Sequence, residues 1–195
     1  MMKHLLITAL ICSTLCMAGC KPDVTNLPTY TGKRQLQAVI EVPAGSSKQM
    51  KYDRQAQEFT TVKTAGKEKV IEFLPYPANY GFIPSTEIDK EGNGLPVLVL
   101  SGSMPTGTVM EVLPIAVLQL ETNGELNPIV VTVPARPSER TINATTLAAF
   151  SQKYPAAKEI LQQWFVNHDR TQDTKFVAWR TERFADKEIL RWMKL

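Results

Sequence analysis

Carboxylates, amides, lysines and tyrosines stand at short spacing in several places along this chain. Asp89, Glu91 and Asn93 alternate and are followed by Gly94. Oxygen side chains in that rhythm follow the opening of a calcium loop, which offers hard ligands to a divalent cation. The closing acid is missing, because the twelfth position is Leu100. Lys51 and Asp53 flank Tyr52, so on a strand they share one face. Tyr76 and Tyr80 sit among Pro75 and Pro77, which fix φ locally, and Gly81, which has no Cβ to restrict the backbone. Taken singly, Glu41 and Lys51 read as solvated strand residues, and the tyrosines as core-rim side chains with one wet hydroxyl. His168 has no histidine partner, since the only other one is His4.

The N-terminus carries a different chemistry. Lys3 and His4 precede an apolar run from Leu5 to Leu15, and Ala18 and Gly19 sit directly before Cys20. The run is too short for the ~20 residues a bilayer span needs, so residues 1–19 read as a secretory signal peptide. The ending Met17-Ala18-Gly19-Cys20 resembles the bacterial lipobox, in which the cysteine is acylated and becomes the first mature residue. That implies lipidation at Cys20 and a membrane anchor. Lys21 is not the aspartate that retains Gram-negative lipoproteins at the inner membrane. The expected location is therefore an exported lipoprotein, on the outer membrane facing the periplasm in a Gram-negative source. Residues 20–35 carry Pro22, Pro28 and Gly32 without an apolar period, and are expected to form a flexible tether.

Composition narrows the rest. Cys12 and Cys16 leave with the signal, so no cysteine pair remains to oxidise, and stability must come from a packed core. Residues 36–195 suit one domain. A formal charge of +3, with no basic stripe, gives no case for nucleic acid.

From Leu36 to Val133 the pattern is mainly β. Strands are expected over 36–42, 50–54, 58–62, 69–74, 97–100, 108–122 and 129–133, with Pro114 marking a bulge or an edge. After Pro134 the pattern turns helical. Pro155 suits a first helical turn, and Ile160, Leu161, Trp164 and Phe165 follow at helical spacing. A last strand over 175–181 and a helix over 185–194 complete the reading. The result is an α+β domain, a closed β-barrel with helices packed outside.

Three segments carry a resemblance. They are Val39-Ile40-Glu41-Val42-Pro43-Ala44-Gly45 with Lys51-Tyr52-Asp53, then Pro75-Tyr76-Pro77-Ala78-Asn79-Tyr80-Gly81, and the stretch from Gly107 to Leu118 ending at Val133-Pro134. In this order they resemble the soluble inorganic pyrophosphatases, a family with an OB-type barrel. The resemblance implies magnesium-dependent hydrolysis of diphosphate, and inorganic diphosphate or another phosphorylated small molecule as ligand. It also allows a homo-oligomer. Carried over by position, it assigns catalytic roles to Asp53 and Tyr80 and substrate contacts to Lys51 and Tyr76. It gives metal contacts to Glu41, Glu91 and Asn93.

The family's central motif, Asp-x-Asp-Pro-x-Asp, is broken here. Its three acids fall at Glu91, Asn93 and Pro96. Two further aspartates and a lysine fall at Thr122, Asn127 and Ile129, a Tyr-Lys pair at His168-Asp169, and an arginine at Glu68 between Lys67 and Lys69. Magnesium takes hard oxygen ligands, usually carboxylates. Of five aspartate positions only one keeps an acid, so catalysis is expected to be impaired. The alternative is a non-catalytic module that binds a polyanion or a protein at the membrane.

Overall fold

The computed structural model describes residues 23–194. The expected signal peptide, Cys20 and Lys21 lie outside the described residues. The strands are β1 (Leu36–Val42), β2 (Met50–Asp53), β3 (Glu58–Thr61), β4 (Lys63–Thr64), β5 (Lys67–Glu68), β6 (Asn79–Ile83), β7 (Leu95–Val99), β8 (Val109–Thr122), β9 (Glu125–Pro134) and β10 (Thr174–Thr181). The helices are α1 (Leu147–Lys153), α2 (Pro155–Asn167) and α3 (Glu182–Trp192).

Five strands close a ring. The order β1-β6-β7-β9-β8 returns to its start through β1–β8 pairs, and β10 extends β8 beyond the ring. Only the β7–β9 contact among these is parallel. Closure depends on β8. Its first residues, Val109 to Val112, pair with β1, while Ala116 to Thr122 pair with β10. The register against β9 slips between Pro114 and Ala116. Pro114 has no N–H to give the ladder, and the bulge there bends the strand from one neighbour to the other. Asn123 and Gly124 turn β8 into β9 at φ of 53° and 88°. Positive φ at both central residues is the hairpin geometry that Asn-Gly supports.

Alternation then sorts side chains into two interiors. Val97 and Val99 join Ile40, Ile83, Val130 and the α3 residues Ala185 and Ile189. Leu98 and Leu100 join Leu118, Val131, Phe150 of α1, and Leu161, Trp164 and Phe165 of α2. Sheet residues thus bury both faces, one against α3 and one against α1 and α2.

Several expectations are corrected. The segment over 69–74 is not a strand; the short β4–β5 hairpin precedes it, and Lys69 to Leu74 runs as a loop. Ile160 is 59% exposed, because it lies about one 100° step off the stripe of Leu161, Trp164 and Phe165. Strand β6 and helix α1 were not expected, and α3 begins earlier, at Glu182. The tether is corrected from Asp23 onward. Thr25 and Thr29 are buried. The Thr29 hydroxyl donates to the Pro84 carbonyl at 2.9 Å, and Val24 and Leu27 pack on Val39, Tyr52 and Phe82.

Candidate active site

Two tyrosines stand at the centre of the site, held by different means. Tyr80 lies on β6, paired with Val42 on one side and Leu98 on the other. Gly81 follows, and a Cβ there would run into the Val39 carbonyl of β1. Only glycine permits that close approach of strands, so the motif glycine sets Tyr80. Tyr76 sits in the preceding loop, where its N–H donates to the Ser46 carbonyl at 2.9 Å and its carbonyl accepts from Gly45 at 2.8 Å. The two rings lie 5.7 Å apart. Trp164 backs Tyr76 at 4.6 Å, and Phe165 backs Tyr80 at 6.1 Å. Helix α2 is therefore the wall that fixes both rings.

Asn79, between them in the motif, does structural work. It is fully buried. Its Oδ1 accepts from the N–H groups of Ala44 and Met104, and its Nδ2 donates to the Gly102 carbonyl at 2.9 Å. It ties three loops together at one end of the barrel, a positioning role that the sequence reading left unassigned.

Most of the positions where the family pattern breaks do come together. Tyr76, Tyr80, Pro96, Thr122, Asn127, Ile129, His168 and Asp169 line one cleft of about 390 Å³, with Lys69 and Gln49. The cleft continues, past Gln49, Tyr80 and Pro96, into a second hollow that holds Glu41, Lys51, Asp89 and Asn93. Asp53 and Glu91 do not reach either hollow. They line an adjoining depression with Lys51 and Arg54. The Asp53 carboxylate is occupied by its own turn, accepting from the N–H groups of Gln55 and Ala56. Lys51 and Asp53 do share the outward face of β2, with Tyr52 buried between them.

Burial sets the protonation states. Desolvation pushes the Glu41 carboxyl up to about 7, against the Tyr52 N–H that it accepts and the Lys51 charge. Burial also raises both phenols well above their ordinary value, with the charges of Glu41 and Asp169 adding to the effect on Tyr76 and Tyr76 and Glu41 adding to that on Tyr80. At neutral pH both are uncharged hydroxyl donors. His168 is lowered by burial and stacks on Trp164 at 4.5 Å. Its Nδ1 lies 3.0 Å from the Phe165 carbonyl, so that nitrogen carries the proton of the neutral ring.

One contact was missed in the sequence. The Lys69 ammonium meets Asp169 Oδ2 at 2.8 Å across the cleft. The hydrogen bond from Lys69 is the largest cause holding Asp169 down to about 2. Glu68, at the aligned arginine position, points away and pairs with Lys48. The signal was present, since Lys69 adjoins the arginine position and Asp169 the pair position, but nothing in sequence joins residues one hundred apart.

The donor set does not fit magnesium. Among the described residues no three His, Cys, Asp or Glu side chains converge. The Asn93 amide donates to Asp89 at 2.6 Å and leans on Glu91 at 3.4 Å, so an N–H group lies where a cation would bridge two acids. Thr122 is engaged with the Thr174 hydroxyl at 3.3 Å, and Asn127 donates to the Glu125 carbonyl. Pro96 offers no side-chain oxygen.

Comparison with known proteins gives the family. A model of the family described as inorganic pyrophosphatase matches residues 38–195. The inorganic pyrophosphatase of Neisseria meningitidis serogroup A is 29% identical over 164 residues, covering 82% of this chain and 89% of that protein. That of Aeropyrum pernix is 29% identical over 174 residues, covering 87% and 88%. The crystal structure of the Thermus thermophilus inorganic pyrophosphatase superposes with a TM-score of 0.75 at 25% identity, covering 88% of this chain and 97% of that one. With the family matched over most of its length and the barrel matched in space, this chain belongs to the inorganic pyrophosphatase family.

Proposed function

We propose that this chain is a membrane-anchored member of that family whose cleft receives diphosphate or another small phosphorylated molecule and hydrolyses diphosphate slowly at best. One observation carries the reading. Pro96, Thr122 and Asn127 line the same cleft as Tyr76 and Tyr80, so the lost acids are lost from the site itself. Removing one group that stabilises developing charge costs on the order of 10² to 10³ in rate, and several are gone here. What remains is positioning. The phenols of Tyr76 and Tyr80 donate to phosphoryl oxygens while staying neutral, and Lys51 supplies the cation of the neighbouring hollow.

The second reading, a binding module without turnover, is favoured by the Lys69–Asp169 pair. The lysine that shares the cleft with both tyrosines is already neutralised from within. Anchoring through acyl groups on Cys20, on the outer membrane facing the periplasm in a Gram-negative cell, belongs to the same proposal. Its support is the Met17-Ala18-Gly19-Cys20 motif and Lys21.

The test is phosphate release from diphosphate by residues 21–195 with millimolar magnesium. Little release is expected, and turnover of several per second refutes the proposal. Asn93→Asp, Pro96→Asp, Thr122→Asp and Asn127→Asp together should raise magnesium-dependent release.

A further inference from the structure

The packed N-terminal segment changes what an anchor at Cys20 would do. Only three residue steps separate Cys20 from Asp23, at most about 11 Å of extended chain. From Asp23 the chain is fixed. Asp23 Oδ1 accepts from the Thr25 N–H at 3.0 Å, and the Thr25 carbonyl accepts from the Ser85 N–H at 2.8 Å. Ser85 is held on its other side by the end of the chain, its carbonyl accepting from the Lys194 N–H at 2.9 Å. Thr86 bridges Met193. Lys194, just past α3, and Thr25, in the short 3-10 turn Val24–Asn26 that follows Asp23, therefore meet on the two sides of one residue, Ser85.

That end of α3 has the composition of a surface that meets lipid. Leu190 is 66% exposed, and Trp192 is half-buried against the barrel core, with its Nε1 donating to Glu188 at 3.1 Å. The Arg191 guanidinium lies over the Trp192 ring at 4.8 Å. Lys90, Arg191, Trp192 and Lys194 rim one shallow hollow together with Glu87 and Asp89. Indole rings settle at the headgroup level, and long cationic side chains bury their stems while keeping the charge in water. Lys194 is paired with Glu87 and Arg191 with Glu188, so the patch is nearly neutral. Its affinity is then for the interface rather than for anionic charge.

We propose that the α3 end around Leu190, Arg191 and Trp192 docks on the headgroup layer of the bilayer that holds Cys20, so the domain lies flat against the membrane. This rests on the anchoring reading above. Interfacial binding scales with the apolar area buried at the headgroup boundary, and a short link to Cys20 keeps this face beside the bilayer.

The test uses the full lipidated chain in phosphatidylcholine vesicles carrying doxyl-labelled lipid. Wild type should lose part of its tryptophan emission to the doxyl lipid, and Trp192→Phe should abolish that loss. A flexible Gly/Ser insertion between Lys21 and Asp23 should reduce it in a protein whose patch is intact. Flotation with the vesicles but no quenching of Trp192 overturns the docking and leaves the anchor standing. No flotation sinks both. Shielding of Trp192 from iodide in vesicle-free protein that sediments as a dimer overturns the docking in favour of a second copy.

Discussion

Replacing Lys69 by Met removes the cation from the cleft pair and leaves its partner in place. The Asp169 side chain is only 9% exposed, so its carboxylate would be left largely without water or countercharge. Its pKa is lowered from 3.8 to about 2, chiefly by the Lys69 hydrogen bond and next by the Thr171 hydroxyl. At 1.36 kcal/mol per pH unit, that hold contributes roughly 2 kcal/mol of stability at neutral pH. Lys69 is 30% exposed, so water entering the gap keeps the loss below the ~3–5 kcal/mol of a fully buried broken pair. The sign is fixed by the depressed value. The contribution is complete above the unfolded pKa of 3.8 and disappears as pH falls through about 2. Urea unfolding of residues 21–195 should therefore show Lys69→Met less stable than wild type by up to roughly 2 kcal/mol near neutrality, the Thr171 contribution remaining, with the two curves converging in acid. Lys69→Arg, which keeps the charge, should recover most of the loss. Equal midpoints near neutrality, or a gap that stays constant into strong acid, would refute the assignment of a stabilising pair.

Glu41 gives the opposite window. Its carboxyl is raised to about 7, so stability is greatest where it is protonated and falls as pH rises from about 4.5 to about 7, by roughly 3 kcal/mol. Glu41→Gln keeps an oxygen for the Tyr52 N–H and should remove this slope, gaining on wild type above about pH 7 in thermal melts; an unchanged slope would mean the group is solvated. Gly81→Ala should be among the most damaging single changes, since its Cβ meets the Val39 backbone and β1 must move away from β6. A loss of at least about 3 kcal/mol with an altered Tyr80 environment in near-ultraviolet circular dichroism is expected, and wild-type unfolding curves would count against the strand contact.

The residues that alternate or repeat were legible in the chain. Strand β1 was bounded at Leu36 and Val42, the bulge at Pro114 followed from its missing N–H, and Pro155 opened α2. Local rules decided these, and they act within a few residues. The loop over 69–74 mimicked a strand because alternation alone does not supply a partner, and Ile160 was counted in a stripe that the sheet never covers. The tether reading from Asp23 onward failed for the same reason. Proline and glycine looked like a linker until Pro84, Ser85 and Phe82 provided something to bind.

The family motif fixed which residue types meet: two tyrosines behind a glycine, and amides, a threonine and a proline where acids are expected. Folding decided how they meet. Closure of β1 on β8, and α2 lying across the barrel, bring residues from five separated segments into one cleft. Only that closure joins Lys69 to Asp169, because a contact between distant residues depends on the packing of everything between them. Asp53 shows the converse. Its neighbours in sequence supplied two N–H groups, and the turn of β2 took the carboxylate before the cleft could use it.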